Sequence, residues 1–280
     1  MPIKDILLPL VGDADAAAIA AIDKCAAVAG DIGARVTAIA VENEVLVRPQ
    51  VTISSDLENS AAAEAVRSVS NAHSLLQAFD TAANRFGVRN DQKLGRVATT
   101  DIPAHFARAA RLKDLSLVPV RAHDDLSERI VEALIFESGR PILLCPEEFA
   151  TELPVAFDNA VIAWDHSAPA ARAVADALPM IQASANVRII TVTDKITPAE
   201  QESQLALANH LVEHAIKASF ETVKIDGSSV GKVFEAYAKA KAVDLLVMGA
   251  YRHSRLNEIV WGGATKTVIG RPPCWVMMSR

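Results

Sequence analysis

The end of this chain is written twice, and nothing else constrains its fold as strongly. Val243-Asp244-Leu245-Leu246-Val247-Met248-Gly249 is followed by Gly270-Arg271-Pro272-Pro273-Cys274. Earlier, Lys113-Asp114-Leu115-Ser116-Leu117-Val118-Pro119 is followed by Gly139-Arg140-Pro141. Asp244 lies 130 residues after Asp114, Gly270 lies 131 after Gly139, and Cys274 lies 129 after Cys145. The apolar run from Ile6 to Leu10 matches Ala160 to Trp164 at an offset of 154. A match in fixed order with one shift in offset means two copies of one domain, the first carrying 154 − 130 = 24 extra residues.

Within each copy short apolar runs alternate with longer amphipathic ones. The first copy opens with a strand-length run, Ile6 to Leu10, then an Ala-rich helical segment, Ala14 to Ala29, then a second strand, Arg35 to Val41. The second copy repeats this as Ala160 to Trp164, Ala168 to Ile181 and Val187 to Val192. Further strands are expected at Lys93 to Val97, Leu115 to Val120 and Ile142 to Cys145, and at Thr222 to Ile225, Leu245 to Met248 and Cys274 to Met278. Strands apolar on both faces and separated by helices imply a parallel sheet covered on both sides. The expected fold is therefore α/β, with two tandem Rossmann-like domains at residues 1–147 and 157–280. Each is a mostly parallel five-stranded sheet flanked by helices. Pro146 to Asn159 reads as the linker, and residues 42–60, polar with Pro49, Ser54 and Ser55, read as a loop or mobile insertion.

Composition narrows the function classes. A net charge of −6 gives no basic footprint for nucleic acid. No uninterrupted apolar run approaches the ~20 residues of a membrane helix, and Met1 leads straight into a strand, so no secretory leader is expected. Cys25, Cys145 and Cys274 have neither disulfide nor metal spacing. Cys145 and Cys274 are read as equivalent strand positions, buried as small apolar residues. A cytoplasmic location is expected.

Open sheets of this class bind ligands beyond the carboxyl ends of strands, where strand order reverses. In the second copy Asp165-His166-Ser167 follows the first strand. Gly249-Ala250-Tyr251-Arg252-His253-Ser254-Arg255 follows the fourth, and Gly262-Gly263-Ala264-Thr265 opens the next helix. Glycines at a strand exit and a helix start let backbone N–H groups approach phosphate, or merely close tight turns. Thr265 and the helix beginning at Ala264 would add a hydroxyl and a positive dipole end. Asp165 is placed to accept from a ribose hydroxyl or an adenine amine.

At these residues the chain resembles the universal stress protein family in its tandem two-domain form, over nearly its whole length. Nucleotide-binding members carry Gly-x2-Gly-x9-Gly-Ser/Thr after the fourth strand. Here those places hold Gly249, Arg252, Gly262 and Gly263, so two of four match. The resemblance implies that Asp165, Val192, Met248 and Gly249 face a nucleoside and that Gly262, Gly263 and Ala264 face phosphates; Ala163 and Thr265 are counted with the same nucleotide site. Arg252 either pairs with a phosphate or fills the pocket. The implied function is a cytoplasmic stress-response regulator binding ATP, with magnesium as an accompanying ion, and at most a very slow ATPase because no general base is evident. The alternative is a scaffold or interaction protein whose pocket is closed by Arg252. The resemblance further implies that the two domains pack as a pseudo-dimer, that two chains pair again through their last strands as a homodimer, and that regulatory protein partners exist.

In the first copy Val11 stands at the place of Asp165 and Pro119 at that of Gly249. Arg121-Ala122-His123-Asp124-Asp125 replaces the glycine turn, so its carboxylates should repel phosphate. Three other signals carry less. Gly227-Ser228-Ser229-Val230-Gly231-Lys232 is one residue short of a phosphate loop and reads as the start of a helix from Val230 to Lys241. His210 and His214 share a helix face but lack a third ligand, leaving metal hydrolysis as the weakest alternative. His166-Ser167 reads as a helix N-cap region.

Overall fold

The Asp shared by the two repeats does the same work in both halves. In this computed structural model, which describes residues 2–43, 55–251 and 263–280, strand β1 (Asp5–Leu10) begins where Asp114 Oδ2 accepts from the N–H groups of Lys4 at 2.8 Å and Asp5 at 3.0 Å. Asp244 Oδ2 accepts likewise from Asn159 N–H at 2.8 Å, where the counterpart strand β6 (Asn159–Ala163) begins. Each Asp fastens the base of its domain's central strand to the start of the neighbouring one.

The first half runs β1, α1 (Ala16–Ile32), β2 (Arg35–Asn43), α2 (Ser55–Phe86), β3 (Asn90–Val97), α3 (Ile102–Ala110), β4 (Leu115–Val120), α4 (Asp125–Glu137) and β5 (Ile142–Pro146). A short 3-10 helix, Glu147–Glu152, occupies the linker. The second half runs β6, α5 (Ala168–Ile181), β7 (Asn186–Val192), α6 (Pro198–Glu213), β8 (Ala218–Val223), α7 (Val230–Ala240), β9 (Leu245–Gly249), α8 (Gly263–Gly270) and β10 (Trp275–Ser279). Residues 42–60 are not one loop: β2 reaches Asn43 and α2 starts at Ser55, while 44–54 lie outside the described residues. Much of the extra length of the first copy goes into α2, which has 32 residues against 16 in α6.

The halves share a single ten-stranded sheet, ordered β3-β2-β1-β4-β5-β10-β9-β6-β7-β8. All pairings are parallel except the central one, where β5 and β10 run antiparallel. Leu117 pairs with Leu143 and Val247 with Met277, and Leu143 and Met277 pair with each other. The pseudo-twofold axis between domains therefore passes through that pair. Two expectations change. Last-strand pairing between two chains is not available, because β5 and β10 each already have neighbours on both sides; the outer edges are β3 and β8. Cys145 and Cys274 are not equivalent either: Cys145 opposes Pro119 and the matching residue opposite Gly249 is Ser279, while Cys274 precedes β10. All three cysteines are nonetheless buried and free.

Helices α1, α2, α5 and α6 cover one face and α3, α4, α7 and α8 the other. Both apolar layers run unbroken across the seam, through Leu143, Trp275 and Met277 on one side and Leu144, Val276 and Met278 on the other. Full burial of each such side chain is worth roughly 1.5–3 kcal/mol. The Trp275 indole, wholly buried, donates Nε1–H to the Pro154 carbonyl at 3.0 Å and so ties the linker to the core. No helix among the described residues is long and apolar enough to cross a membrane.

Candidate functional site

Strand order reverses at β1/β4 in the first half and at β6/β9 in the second, and ligands of open α/β sheets bind beyond the strand ends at such points. In the second half, β6 leads through Trp164 and Asp165 to His166, which adopts a left-handed φ of 64°. Asp165 Oδ1 accepts from Ser167 N–H at 3.0 Å, closing this turn, and Ser167 Oγ then caps α5 by accepting from Ala170 N–H at 3.2 Å. The expected N-cap region is thus present. The carboxylate of Asp165 remains exposed at the strand tip.

The other anticipated residues are brought to the same end of the sheet in different states. Ala163 and Met248 are 9% and 5% exposed and pack in the core, so they can serve a ligand mainly through backbone atoms. Val192 is half-buried at the end of β7. Gly249 has a packing role of its own: a Cβ there would stand 2.4 Å from the Ala170 nitrogen and 2.7 Å from the Pro169 carbonyl carbon. Only glycine lets the first turn of α5 lie against the end of β9. Gly263 is exposed, Ala264 half-buried, and Thr265 buried with its hydroxyl accepting from Tyr251 N–H at 3.3 Å. Arg252 and Gly262, like His253 and Ser254, lie outside the described residues.

Two features of this site escaped sequence reasoning. Tyr251, with φ of 50°, anchors the loop after β9 to the first half: its hydroxyl pairs with Glu132 Oε1 at 2.9 Å and its ring lies 4.7 Å from that of Phe136. The Arg280 guanidinium sits 4.2 Å from the Phe136 ring centre. Below the first turn, Thr191 Oγ1 donates to the Trp164 carbonyl at 3.0 Å and accepts from Gln204 Nε2 at 2.8 Å, while Trp164 Nε1–H reaches Ser203 Oγ at 3.0 Å. The half-buried tryptophan, whose indole N–H needs an acceptor, was the available signal for that network.

The remaining motifs resolve structurally. Ser229 caps α7, accepting from Lys232 N–H at 3.4 Å, and Gly227 takes a left-handed φ of 72° in the preceding turn. Gly231 is dictated by packing, since a Cβ would meet Thr267 at 2.4 Å. His210 and His214 stack edge-on at 4.9 Å at the end of α6. Among the described residues no group of three or more His, Cys, Asp or Glu could hold a metal.

The corresponding place in the first half is built differently. Asp15 caps α1, accepting from Ala17 N–H at 3.1 Å and Ala18 N–H at 3.0 Å, and Asp124 caps α4, accepting from Ser127 N–H at 2.7 Å. Arg121 donates to Asp15 Oδ2 at 2.8 Å and to Glu147 Oε2 at 3.0 Å, joining β4, α1 and the linker. Burial pushes the Glu147 carboxyl above its usual range, only partly offset by Arg121. The Ala18 N–H bond and the Arg121 charge hold Asp15 below its own. Two adjoining cavities, of 130 and 390 Å³, open here and share Val11, Gly12, Asp13, Leu75 and Leu126.

Comparison with known proteins locates the chain. Residues 156–280 match the model of the universal stress protein family. A curated relative, universal stress protein Slr1230 of Synechocystis sp., is 28% identical over 152 residues, covering 54% of this chain and 50% of the relative. The chain thus aligns with about half the length of the curated relative it matches. A universal stress protein from Archaeoglobus fulgidus has the same fold, with a TM-score of 0.67 and 15% identity over 99% of this chain and 96% of that one. A Pseudomonas aeruginosa protein of unknown function reaches 0.54 at 11% identity, over 99% and 92%.

Proposed function

We propose that this chain, whose C-terminal half belongs to the universal stress protein family, is a stress-response regulator that binds an adenine nucleotide, ATP with magnesium, beyond strands β6 and β9. One observation carries the reading. At the strand-order reversal of that half, the helix α5 is capped by the neutral hydroxyl of Ser167, and the exposed Asp165 carboxylate stands beside it. The cap itself carries no charge, and the Asp165 carboxylate two residues before it is a hydrogen-bond acceptor for a ribose hydroxyl or an adenine amine. The start of α8 at Gly263, unshielded by a Cβ, offers a second set of N–H donors.

Hydrolysis is expected to be slow or absent. Asp165 spends one carboxylate oxygen on Ser167 N–H and is read as the nucleoside acceptor, and Thr265 is a neutral hydroxyl engaged by Tyr251, so neither is assigned as a general base. A cytoplasmic location, a homodimer and regulatory protein partners belong to the same reading. If two chains associate, a surface other than the last strands must serve.

Gly249 and Thr265 favour a second reading, since packing accounts for both without a ligand. In that case the protein is a scaffold, and Arg252 closes the pocket. Calorimetric titration with ATP and magnesium, and with AMP alone, separates the two. One site per chain, lost in Asp165→Ala, supports the nucleotide regulator. Absence of heat at two temperatures, with binding appearing in Arg252→Gly, supports the scaffold.

A further inference from the structure

We infer that the cleft beyond β1 and β4, in the half that lacks the nucleotide motif, is a binding site for a small organic cation with an apolar body. The two cavities there meet along five shared residues and together lie within the size range of small-molecule sites. Their floor is apolar: Leu75 is 2% exposed, Ile102 2% and Ile22 1%, with the half-buried Leu126 at the boundary. The wall is supplied by α2, the helix that the second half has only in shortened form.

Charge selects the ligand. Asp13, Glu64, Asp124 and Glu147 line the combined cleft, against Arg67 and Arg121. Arg121 is already shared between Glu147 and Asp15, so it has little left for an incoming anion. The two helix N-termini at this point, those of α1 and α4, are both occupied by carboxylates of the chain. An anionic ligand would therefore find Arg121 and both helix ends taken, leaving Arg67 against the carboxylates of Asp13 and Glu64. A cleft with this balance concentrates cations instead. Glu147, only 8% exposed, and Asp124 line the smaller cavity, where the charged end of the ligand would sit. Its apolar end would rest on Leu75 and Leu126.

The test uses the full chain and three probes sharing one body: 4-phenylbutylamine, 4-phenylbutan-1-ol and 4-phenylbutyrate, titrated calorimetrically. The amine is expected to saturate one site per chain. The alcohol should bind at least about ten-fold more weakly, a difference of ~1.4 kcal/mol, and the carboxylate should not bind. Leu126→Trp, at a half-buried position the fold can accommodate, should abolish amine binding, as should Leu75→Trp if it folds. Asp124→Asn retains the cap but removes a charge, and should weaken the amine several-fold without moving the alcohol. Asp165→Ala, in the other half, should leave amine binding unchanged. The inference is overturned if the carboxylate binds as tightly as the amine, if the amine survives Leu126→Trp, or if the amine does not saturate below about 10 mM.

Discussion

The two halves of this protein differ most at the helix ends that face their strand-order reversals. In the first, α1 and α4 begin under carboxylates, and one of these, Asp15, is clamped by an arginine that also holds Glu147. In the second, the corresponding helix α5 begins under a serine hydroxyl. The same sheet therefore presents two different electrostatic environments. A fold shared by two copies does not imply a shared ligand, because the helix dipole is available only where the chain has not already used it.

The comparison can be broken most severely at the position where the copies carry Pro119 and Gly249. Gly249→Val should destabilise the chain by ~3 kcal/mol or more, because its side chain would enter the backbone of Pro169 and Ala170. Pro119→Val, where the native residue already carries a Cβ, should cost much less. Urea unfolding of the two variants measures the contrast, and equal effects would refute the packing role of Gly249.

Next come the caps. Asp15→Ala and Ser167→Ala should each cost about 1 kcal/mol at neutral pH, but with different pH behaviour. The Asp15 carboxyl titrates below its unfolded value, so its ionised form contributes fully above about pH 4 and the contribution fades as pH falls through the lower native value. The Asp15→Ala penalty should thus shrink on acidification, while that of Ser167→Ala stays flat. Parallel pH profiles of the two would remove the distinction.

A smaller effect tests the link between halves. Tyr251→Phe removes the hydroxyl bond to Glu132 and should cost about 0.5–1.5 kcal/mol, with Glu132→Gln largely non-additive to it in a double-mutant cycle. The smallest expected signal is at the thiols. Burial lifts the Cys274 thiol to about 12 and the Cys145 thiol above its ordinary value, so neither should react with a thiol reagent at pH 8 until the chain unfolds. Rapid labelling of native protein would contradict the burial of these sites.

Much of the architecture was legible because the strongest signals are local. Continuous apolar runs marked most strands, and the paired Asp114 and Asp244 marked the repeat. Strand β8 was misplaced, expected at Thr222 to Ile225 and found at Ala218–Val223, because an edge strand has no fully buried residue to impose a pattern. The start of α2 was read as part of a loop: the described part of the helix keeps Glu64 and Arg67 in solvent and buries Ala72, Leu75, Phe79 and Ala82 at helical spacing further along. At the site, Asp165 and Ser167 could be placed because their roles are set by near neighbours. Arg121 could not, since its partners Asp15 and Glu147 are 106 and 26 residues away. Nor could the last-strand pairing, because a strand apolar on both faces looks the same whichever neighbour it has.

The antiparallel seam has a consequence for the life of the chain in the cell. A growing polypeptide completes β5 long before β10 exists, and for that interval it presents the hydrogen-bonding edge of a strand buried at every position. The same edge would be bared in a truncated or half-unfolded molecule. Once β10 is made, joining both copies in one polypeptide holds the proper partner for that edge at high local concentration, so the tandem arrangement shortens the time for which a finished chain leaves it open to pairing with strangers.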